Sequence, residues 1–192
     1  MSAMINVPSS ASVVDLLSED CSLRVPAGVS TETLGVLQSL GIKALSQIQR
    51  EALPPALSGS DVIAKGRTGT GKTVAFLAPT VEALSRRARE SPGAIRAVVL
   101  SHTRELASQV LTNAARFADP HGLTARLVTG GKSIEWDREQ LGAAKALPID
   151  VLVATPGRLA EHVAKTDGFA ARIAACEVVV LDECDELLGD GG

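Results

Sequence analysis

Residues 61–73 read Asp-Val-Ile-Ala-Lys-Gly-Arg-Thr-Gly-Thr-Gly-Lys-Thr and join a short apolar run to a glycine-rich turn. The run at residues 61–64 predicts a strand, and the glycines predict a loop. The pattern that begins at Lys72 predicts a helix. A strand, a tight loop and a helix in succession form the repeating unit of parallel sheets. This stretch therefore favours an α/β fold.

The rest of the chain repeats the same alternation. Further strands are predicted at residues 95–100, 123–129, 149–154 and 177–181, with helices at residues 72–89, 103–118, 133–147 and 156–165. Runs such as residues 151–153 and 178–181 carry no polar alternation, which is typical of strands covered on both faces. The sequence thus predicts a doubly wound parallel sheet in a three-layer α/β/α arrangement.

The segment before the first strand is less regular. Two helices are predicted there, one from Ser30 that stops at Gly41 and one at residues 48–53 that ends before Pro54. Residues 1–28 are small and polar and are interpreted as a mobile extension with a short helix at residues 13–17. The domain itself is expected to span residues 29–192.

Composition excludes several classes of protein. The chain has 19 Lys and Arg against 22 Asp and Glu, a net charge of −3, so a globally basic nucleic-acid binder is not indicated, whereas a local basic face is compatible with this charge. Aromatic residues are only 2%, which argues against a surface that stacks bases on aromatic rings. No apolar stretch approaches the roughly 18 residues that a membrane span needs, so no membrane association is expected.

The three cysteines and three histidines suggest neither a disulfide framework nor a zinc site. The cysteines are odd in number and form no C-x-x-C pair, which favours reduced thiols in an intracellular compartment. Because the histidines lack metal-ligand spacing, they are predicted to be surface or capping residues. They are His102, His121 and His162. The arginines at 86, 87 and 89 are interpreted as complementing a helix C-terminus, with nucleic-acid binding as the alternative.

The glycine-rich turn has the spacing of a phosphate-binding loop. Residues 66–73 fit G-x-x-x-x-G-K-T, in which backbone N–H groups and the positive end of the following helix surround phosphates. In this pattern Lys72 reaches the β- and γ-phosphates and Thr73 holds Mg²⁺. The alternative is a glycine-rich turn that happens to precede a lysine. The predicted nucleotide-binding residues are Gln49, Gly66, Arg67, Thr68, Gly69, Thr70, Gly71, Lys72 and Thr73.

The last apolar run leads directly into Asp182-Glu183-Cys184-Asp185. Asp182 should lie at the carboxyl edge of the sheet, where a carboxylate can bind Mg²⁺ beside Thr73. Glu183 is then placed to orient and deprotonate an attacking water. The alternative is a solvated acidic helix start. Lys72, Asp182 and Glu183 are the predicted catalytic residues.

These motifs, taken in order, resemble the first RecA-like domain of DEAD-box ATP-dependent RNA helicases. The resemblance also covers His102-Thr103-Arg104-Glu105-Leu106-Ala107, similar to P-T-R-E-L-A, and Thr155-Pro156-Gly157-Arg158, identical to T-P-G-R. Residues 182–185 resemble the D-E-C-D variant of the D-E-A-D motif. Gly41-Ile42 and Ile48-Gln49 resemble the adenine-reading segment, in which this chain has Arg24 near the position of the family's upstream aromatic ring.

The resemblance implies an RNA site as well as ATP and Mg²⁺. The residues implied in binding the RNA backbone are Thr103, Arg104, Gly130, Gly131, Thr155, Pro156, Gly157 and Arg158. Amides at glycines and helix starts suit phosphates, and arginines add charge-assisted bonds, so binding should not depend on base sequence.

The resemblance further implies that the chain ends before the S-A-T motif and before a second RecA-like domain that supplies arginine fingers. It therefore predicts an ATP-dependent RNA helicase of which this chain alone is nearly inactive. The alternative is a non-hydrolysing nucleotide- or RNA-binding regulatory module.

Overall fold

The computed structural model describes residues 2–5, 23–89, 93–131, 133–141 and 148–189. Its strands are β1 (Ser2–Ile5), β2 (Val62–Lys65), β3 (Ile95–Ser101), β4 (Ala125–Val128), β5 (Ile149–Ala154) and β6 (Val178–Asp182). They form one six-stranded sheet in the order β2-β1-β6-β3-β5-β4. β3 pairs in parallel with β5 and β6, and β4 pairs in parallel with β5, as the alternation of runs predicted.

β1 is the exception to the parallel arrangement. It pairs antiparallel with β2 on one side and with β6 on the other, so it separates these two strands. It comes from residues 1–28, which were interpreted as an extension. Leu23, from the same segment, is only 5% exposed and belongs to the core. The short helix predicted at residues 13–17 lies outside the described residues.

Helices cover both faces of the sheet. They are α1 (Thr31–Ser39), α2 (Gln47–Leu57), α3 (Lys72–Ser85), α4 (Arg104–Ala118), α5 (Ile134–Leu141), α6 (Pro156–Lys165), α7 (Phe169–Ile173) and α8 (Cys184–Leu188), with a 3-10 turn at Asp119–His121. Helices α1 to α4 pack on one face, where Leu37, Leu53 and Phe76 are buried against Val99 and Val151. Helices α5 to α7 pack on the other face, so the three-layer prediction is confirmed.

The predicted end of α2 is wrong. The helix begins at the capping box that Ser46 forms with Gln49, but it continues through Pro54 and Pro55 to Leu57. A proline removes one N–H from a helix but leaves its own carbonyl free to accept. Ser58 N–H donates to the carbonyl of Pro54 at 3.1 Å, which closes the following turn. The free energy gained by burying the α2 side chains then outweighs the tendency of the two prolines to end the helix.

The third helix is shorter than its pattern predicted, because the arginines after Ser85 turn away to the amino ends of the strands. Arg87 pairs with Glu177 at 3.2 Å, and Arg89 donates to both carboxylate oxygens of Asp150 at 2.8 Å. Arg86 instead pairs with Glu82 inside the helix. The arginine cluster is therefore engaged in ion pairs on or just beyond the end of α3, and its distal members lie at the sheet edge opposite the motif loops.

Candidate functional site

The predicted site residues come together at the carboxyl ends of the parallel strands. The glycine-rich loop follows β2, Thr103 and Arg104 follow β3, and Gly130 follows β4. Thr155 follows β5, and Asp182 is the last residue of β6. In open α/β sheets this edge is where ligands bind. Loops far apart in the sequence therefore share one surface.

The loop at residues 66–71 is built on left-handed glycines. Gly69 and Gly71 have φ of 81° and 87°, and Gly71 is the N-cap of α3. Side chains with a Cβ rarely adopt this conformation, so glycine is required at the turn into the helix. No side chain caps α3, which leaves its first N–H groups directed to the space over the loop.

Lys72 is folded onto this loop. Its ammonium group donates to the carbonyl of Gly66 at 2.8 Å and to that of Arg67 at 3.2 Å, and the residue is only 8% exposed. The carbonyl of Arg67 also accepts from the hydroxyl of Thr70 at 2.8 Å. The cation is thus held at the centre of the loop by neutral acceptors that phosphate oxygens can replace.

The start of α2 is clamped to the same loop by two side chains. Ser46 donates from its hydroxyl to the carbonyl of Thr70 at 2.7 Å, and Gln49 donates from Nε2 to the carbonyl of Gly71 at 3.1 Å. A Cβ at Gly71 would collide with the Gln49 amide. Gln49, predicted to bind nucleotide, is therefore buried against the glycine-rich loop in this structure. Ser46 was not among the predicted site residues.

A cavity of about 440 Å³ lies beside the loop, between α2 and β2. Its apolar wall includes Ile48, Ala52 and Ala64, and its rim includes Glu51. It continues into the glycine-rich loop through Gly66, Gly69 and Thr70. This volume falls within the range of roughly 300–1,000 Å³ that is usual for small-molecule sites. Arg24, the residue near the family's upstream ring position, is exposed and is absent from the described lining.

The acidic strand end combines a buried carboxylate with a strained backbone. Asp182 is 3% exposed, and burial raises its pKa to about 6. The negative charge of Glu183 is the second cause of this raised pKa, while the charges of Lys72 and His102 oppose the rise. Glu183 has φ of 55° and is the single non-glycine residue with positive φ in the described parts of the chain. Such strain is typical of functional positions.

The loops after β3, β4 and β5 enclose a groove of about 550 Å³. Thr103 caps α4 by accepting from the Leu106 N–H at 3.1 Å, and the exposed guanidinium of Arg104 lies over Gly131. The predicted RNA-binding residues in the groove lining are Thr103, Arg104, Gly130, Thr155, Gly157 and Arg158. The groove thus brings together polar and charged residues from three separate loops. Pro156, at the first turn of α6, is exposed.

The N-terminus of α6 departs from its prediction in one respect. Thr155 is the N-cap residue and Pro156 occupies the first turn, as predicted, but the Thr155 hydroxyl makes no capping hydrogen bond. The residue instead lines the groove.

Arg158 is buried, which the sequence did not predict. It is 8% exposed and its Nη1 donates to Asp137 Oδ2 at 2.8 Å. His162 is fully buried beside the same carboxylate, with Nε2 at 3.5 Å from Asp137 Oδ2 and Nδ1 at 2.8 Å from Thr166 Oγ1. Burial lowers the pKa of His162, and the charge of Asp137 opposes this effect. The prediction that His162 is a surface or capping residue is wrong.

The two other histidines also have partners. His102 Nδ1 lies 3.3 Å from Glu183 Oε2, and His121 Nε2 lies 2.9 Å from the hydroxyl of Thr33. The contact between His102 and Glu183 could not be predicted from spacing, because the two residues lie far apart in the sequence.

No described helix is both long enough and apolar enough to cross a membrane. In the same residues, no group of three or more His, Cys, Asp or Glu side chains is arranged to hold a metal ion. Cys176 and Cys184 are free thiols, and Cys21 lies outside the described residues.

The family model and the curated relatives that match this sequence agree on one family. The sequence model described as DEAD/DEAH box helicase matches residues 46–192. DEAD-box ATP-dependent RNA helicase 26 of Oryza sativa subsp. japonica is 43% identical over 164 residues, which is 85% of this chain and 30% of that protein. ATP-dependent RNA helicase HAS1 of Phaeosphaeria nodorum is 34% identical over 189 residues, covering 98% and 30%. The chain spans less than a third of the length of these curated relatives.

Two solved structures share the fold. The RNA helicase Prp28 from Chaetomium thermophilum, bound to ADP, superposes with a TM-score of 0.68 and 29% identity. The match covers 97% of this chain and 43% of that one. The DEAD-box helicase Mss116, bound to ssRNA and UDP-BeF, gives a TM-score of 0.74 and 26% identity, covering 97% and 36%.

Proposed function

Because this chain belongs to the DEAD/DEAH box helicase family, we propose that it supplies the ATP·Mg²⁺ site and one wall of the RNA groove of an ATP-dependent RNA helicase. The observation that carries this proposal is the shared sheet edge. The phosphate loop, the Asp182-Glu183 pair and the groove around Arg104 all lie at the carboxyl ends of the strands. The bound ADP of Prp28 and the bound ssRNA of Mss116 support the same assignment.

The nucleotide phosphates bind at the N-terminus of α3. Lys72 exchanges the carbonyls of Gly66 and Arg67 for phosphate oxygens, which are stronger, charged acceptors. Backbone N–H groups at the glycines and the positive end of α3 add to this attraction. The neighbouring cavity of about 440 Å³ takes the base, with Ile48 and Ala52 against its apolar ring.

The residues present fit Mg²⁺. Thr73 offers a hydroxyl and Asp182 a buried carboxylate, and such hard oxygen donors are the ligands that Mg²⁺ prefers. The raised pKa of Asp182 indicates that its charge is poorly compensated by the protein alone, so a cation is favoured beside it. Mg²⁺ usually takes only one or two carboxylates and completes its shell with waters and phosphates. When bound, it neutralises charge on the β- and γ-phosphates.

Hydrolysis requires a water in line with the γ-phosphorus. Glu183 orients this water and accepts one of its protons as the bond from phosphorus to the ADP oxygen breaks, giving ADP and inorganic phosphate. Lys72 stabilises the charge that develops on the leaving oxygen. We expect the isolated chain to turn over little ATP, since an arginine finger from elsewhere contributes a factor of about 10³–10⁵ in related sites.

RNA binds in the groove through its backbone. The exposed guanidinium of Arg104, the amides at Gly130 and the start of α6 suit phosphate and sugar oxygens, which carry no base information. Binding should therefore be insensitive to sequence and weakened by salt. Glu105 and Glu161 also line the groove and disfavour phosphates at its rim. We propose that these two acidic residues limit where the strand can lie.

The test uses the 192-residue chain. Binding of a fluorescent ADP analogue with Mg²⁺ and of a short fluorescent oligouridine is measured for the unmodified chain, for K72A and for K43A. Lys43 is exposed and is absent from the described linings of the cavity and the groove, so K43A is the matched control. K72A should lose nucleotide affinity at least tenfold and retain RNA affinity, whereas K43A should change neither. Equal nucleotide affinity in K72A and K43A would refute the phosphate-loop assignment.

A further inference from the structure

We infer that the RNA groove continues along the exposed face of α4, in a second subsite that holds the strand through uncharged side chains. The inference rests on the function proposed above and extends the RNA surface beyond the residues assigned there. Its basis is an open groove of about 640 Å³, which we name the α4 groove. The described residues that line it are Arg104, Glu105, Ser108, Gln109, Thr112, Thr129, Gly130 and Gly131.

The α4 groove is continuous with the groove enclosed by the loops after β3, β4 and β5, which we name the loop groove. Arg104, Glu105 and Gly130 line both of them. Thr112, at the far end of the α4 groove, lies about 12 Å from Arg104 along the helix axis. A stacked strand advances roughly 3.4 Å per nucleotide, so a strand that leaves the loop groove can place about three further nucleotides along α4.

The helical repeat of α4 explains why this wall is polar. Residues four apart lie on one face of a helix, so Arg104, Ser108 and Thr112 form one exposed row. Glu105 and Gln109 form the next row and are exposed as well. The opposite face of the helix is buried through Ala107, Val110, Ala114, Phe117 and Ala118. The exposed rows are therefore not needed for packing and are available to a ligand.

The uncharged side chains of the α4 groove have hydrogen-bonding capacity left for a ligand. Within the described parts of the chain, the Ser108 hydroxyl and the Gln109 amide make no side-chain hydrogen bond. The Thr112 hydroxyl donates to the carbonyl of Ser108 at 3.1 Å, so its oxygen can still accept. On the facing wall, a Cβ at Gly130 would meet nothing within 4 Å, which leaves the backbone there open to the groove.

The composition of the lining favours a nucleic-acid strand over a protein segment. None of the described lining residues has a wholly apolar side chain, whereas protein interfaces are built around apolar and aromatic anchors. The groove between α1 and the 3-10 turn, by contrast, is lined in part by Val36, Leu40 and Pro120. Ser, Thr and Gln side chains commonly bond to the phosphate and sugar oxygens of nucleic acids. The α4 groove therefore fits an RNA backbone.

Charge gives this subsite a signature that the loop groove lacks. Arg104 lies where the two grooves meet, and its charge is balanced in the α4 lining by that of Glu105. The remaining lining residues are uncharged. Each phosphate that a cation neutralises on a single strand steepens the slope of log affinity against log salt by about 0.7, whereas an uncharged contact releases no counterion. A lysine introduced beside the strand should therefore add one such contribution.

The experiment compares fluorescent oligouridines of four and of eight nucleotides on the 192-residue chain. The shorter probe is held by the loop groove, and the longer one also reaches α4. Both affinities are measured between about 50 and 200 mM salt. The variants are Q109A, which removes the amide, and Q109K, which adds a charge at the same position. Q38A and Q38K are the matched controls, because Gln38 is exposed on α1 and is absent from the described linings of both grooves.

Q109A should lower the ratio of the eight-nucleotide to the four-nucleotide affinity by about threefold to tenfold, the loss expected for one or two hydrogen bonds between uncharged groups. It should leave the affinity for the shorter probe and the melting temperature unchanged, since alanine is a good helix former at an exposed position. Q109K should steepen the salt slope of the longer probe by about 0.7 and leave that of the shorter probe unchanged. Q38A and Q38K should change none of these quantities.

Two results would overturn the inference: an unchanged affinity ratio in Q109A, or a Q109K slope that steepens for neither probe or equally for both. The second result would mean that the strand does not pass Gln109 beyond the loop groove. An unmodified chain that binds neither oligouridine would overturn the proposed RNA function together with this inference. Normal binding of the four-nucleotide probe, with an affinity ratio in Q109A equal to that of the unmodified chain, would overturn the inference alone.

Discussion

Arg158 donates to Asp137 at 2.8 Å, and both side chains are buried. This pair joins the first turn of α6 to α5, which follows the Gly130-Gly131 loop. Arg158 was predicted to bind RNA directly, yet its charge is already engaged within the domain. We propose that its main effect on RNA is to fix the N-terminus of α6, where Thr155 and Gly157 line the groove.

Replacing Asp137 by Ala should therefore reduce both stability and RNA binding. Removing one partner of a buried ion pair leaves the other charge uncompensated and costs about 3–5 kcal/mol. We expect D137A to lose stability of this order in urea unfolding and to lose RNA affinity, with nucleotide affinity unchanged wherever the chain remains folded. The exposed Glu139, on the same helix, provides the control E139A, which should change neither quantity. Wild-type stability in D137A would contradict the assignment of this pair.

The second prediction concerns a substitution in the glycine-rich loop, at Gly71. Gly71 has φ of 87°, and a Cβ there would meet the Gln49 amide. G71A should cost more than about 1 kcal/mol of stability and abolish nucleotide binding, since an alanine at positive φ is strained and displaces the loop. The matched control is G35A in α1, where a Cβ meets nothing within 4 Å. G35A should stabilise the chain by about 0.5–1 kcal/mol, the gain for Gly to Ala within a helix. Urea unfolding and binding of the ADP analogue check both.

The sequence predicted regular elements best where a clear boundary residue followed a strong pattern. β5 and α6 begin and end as predicted because the apolar run at residues 151–154 meets Thr155-Pro156, a marked helix start. The end of α2 was missed because proline preference is local, whereas burial of Leu53 is set by the fold. β1 was missed because its four residues, Ser2–Ile5, are too few to show a strand period.

The positions of residues within single loops could also be predicted, but pairs between loops could not. The place of Lys72 at the start of α3 and that of Asp182 at the end of β6 follow from spacing and from the ends of apolar runs. The contacts of His102 with Glu183 and of Asp137 with Arg158 depend on strand register and helix docking, which no local pattern contains. His162 illustrates the same limit, because its burial depends on α5 and on Phe169, whose ring centre lies 5.5 Å away.

Asp182 makes stability depend on pH in the absence of metal and nucleotide. Its pKa is about 6 in the folded chain and near the ordinary 3.8 when unfolded, so the folded state holds the proton more tightly. Stability is therefore lost as the pH rises from about 4 through 6, the window between these values. D182N should be more stable than the unmodified chain at pH 7, by about 1–2 kcal/mol or roughly 2–8 °C in melting temperature.

Thermal unfolding of D182N and of the unmodified chain in a chelating buffer tests whether D182N is the more stable of the two. The difference in melting temperature between the two proteins should narrow as the pH falls toward 4, because Asp182 is then increasingly protonated in both the folded and the unfolded chain. ATP with Mg²⁺ should raise the melting temperature of the unmodified chain more than that of D182N, since the carboxylate then has a cation partner. A D182N chain that is less stable at pH 7 without metal would show that the buried carboxylate is compensated by the protein itself.

Arg104 should set part of the salt dependence of RNA binding. Its exposed guanidinium lies over Gly131 at the groove, so a phosphate there displaces counterions from the RNA. R104A should weaken binding equally for oligouridine and oligoadenine and should flatten the slope of log affinity against log salt by about 0.7, the value for one phosphate on a single strand. Arg126 is exposed on β4 outside the groove lining, so R126A is the control and should keep the original slope. A base-dependent loss in R104A would mean that Arg104 reads base edges, because backbone contacts cannot distinguish the two oligonucleotides.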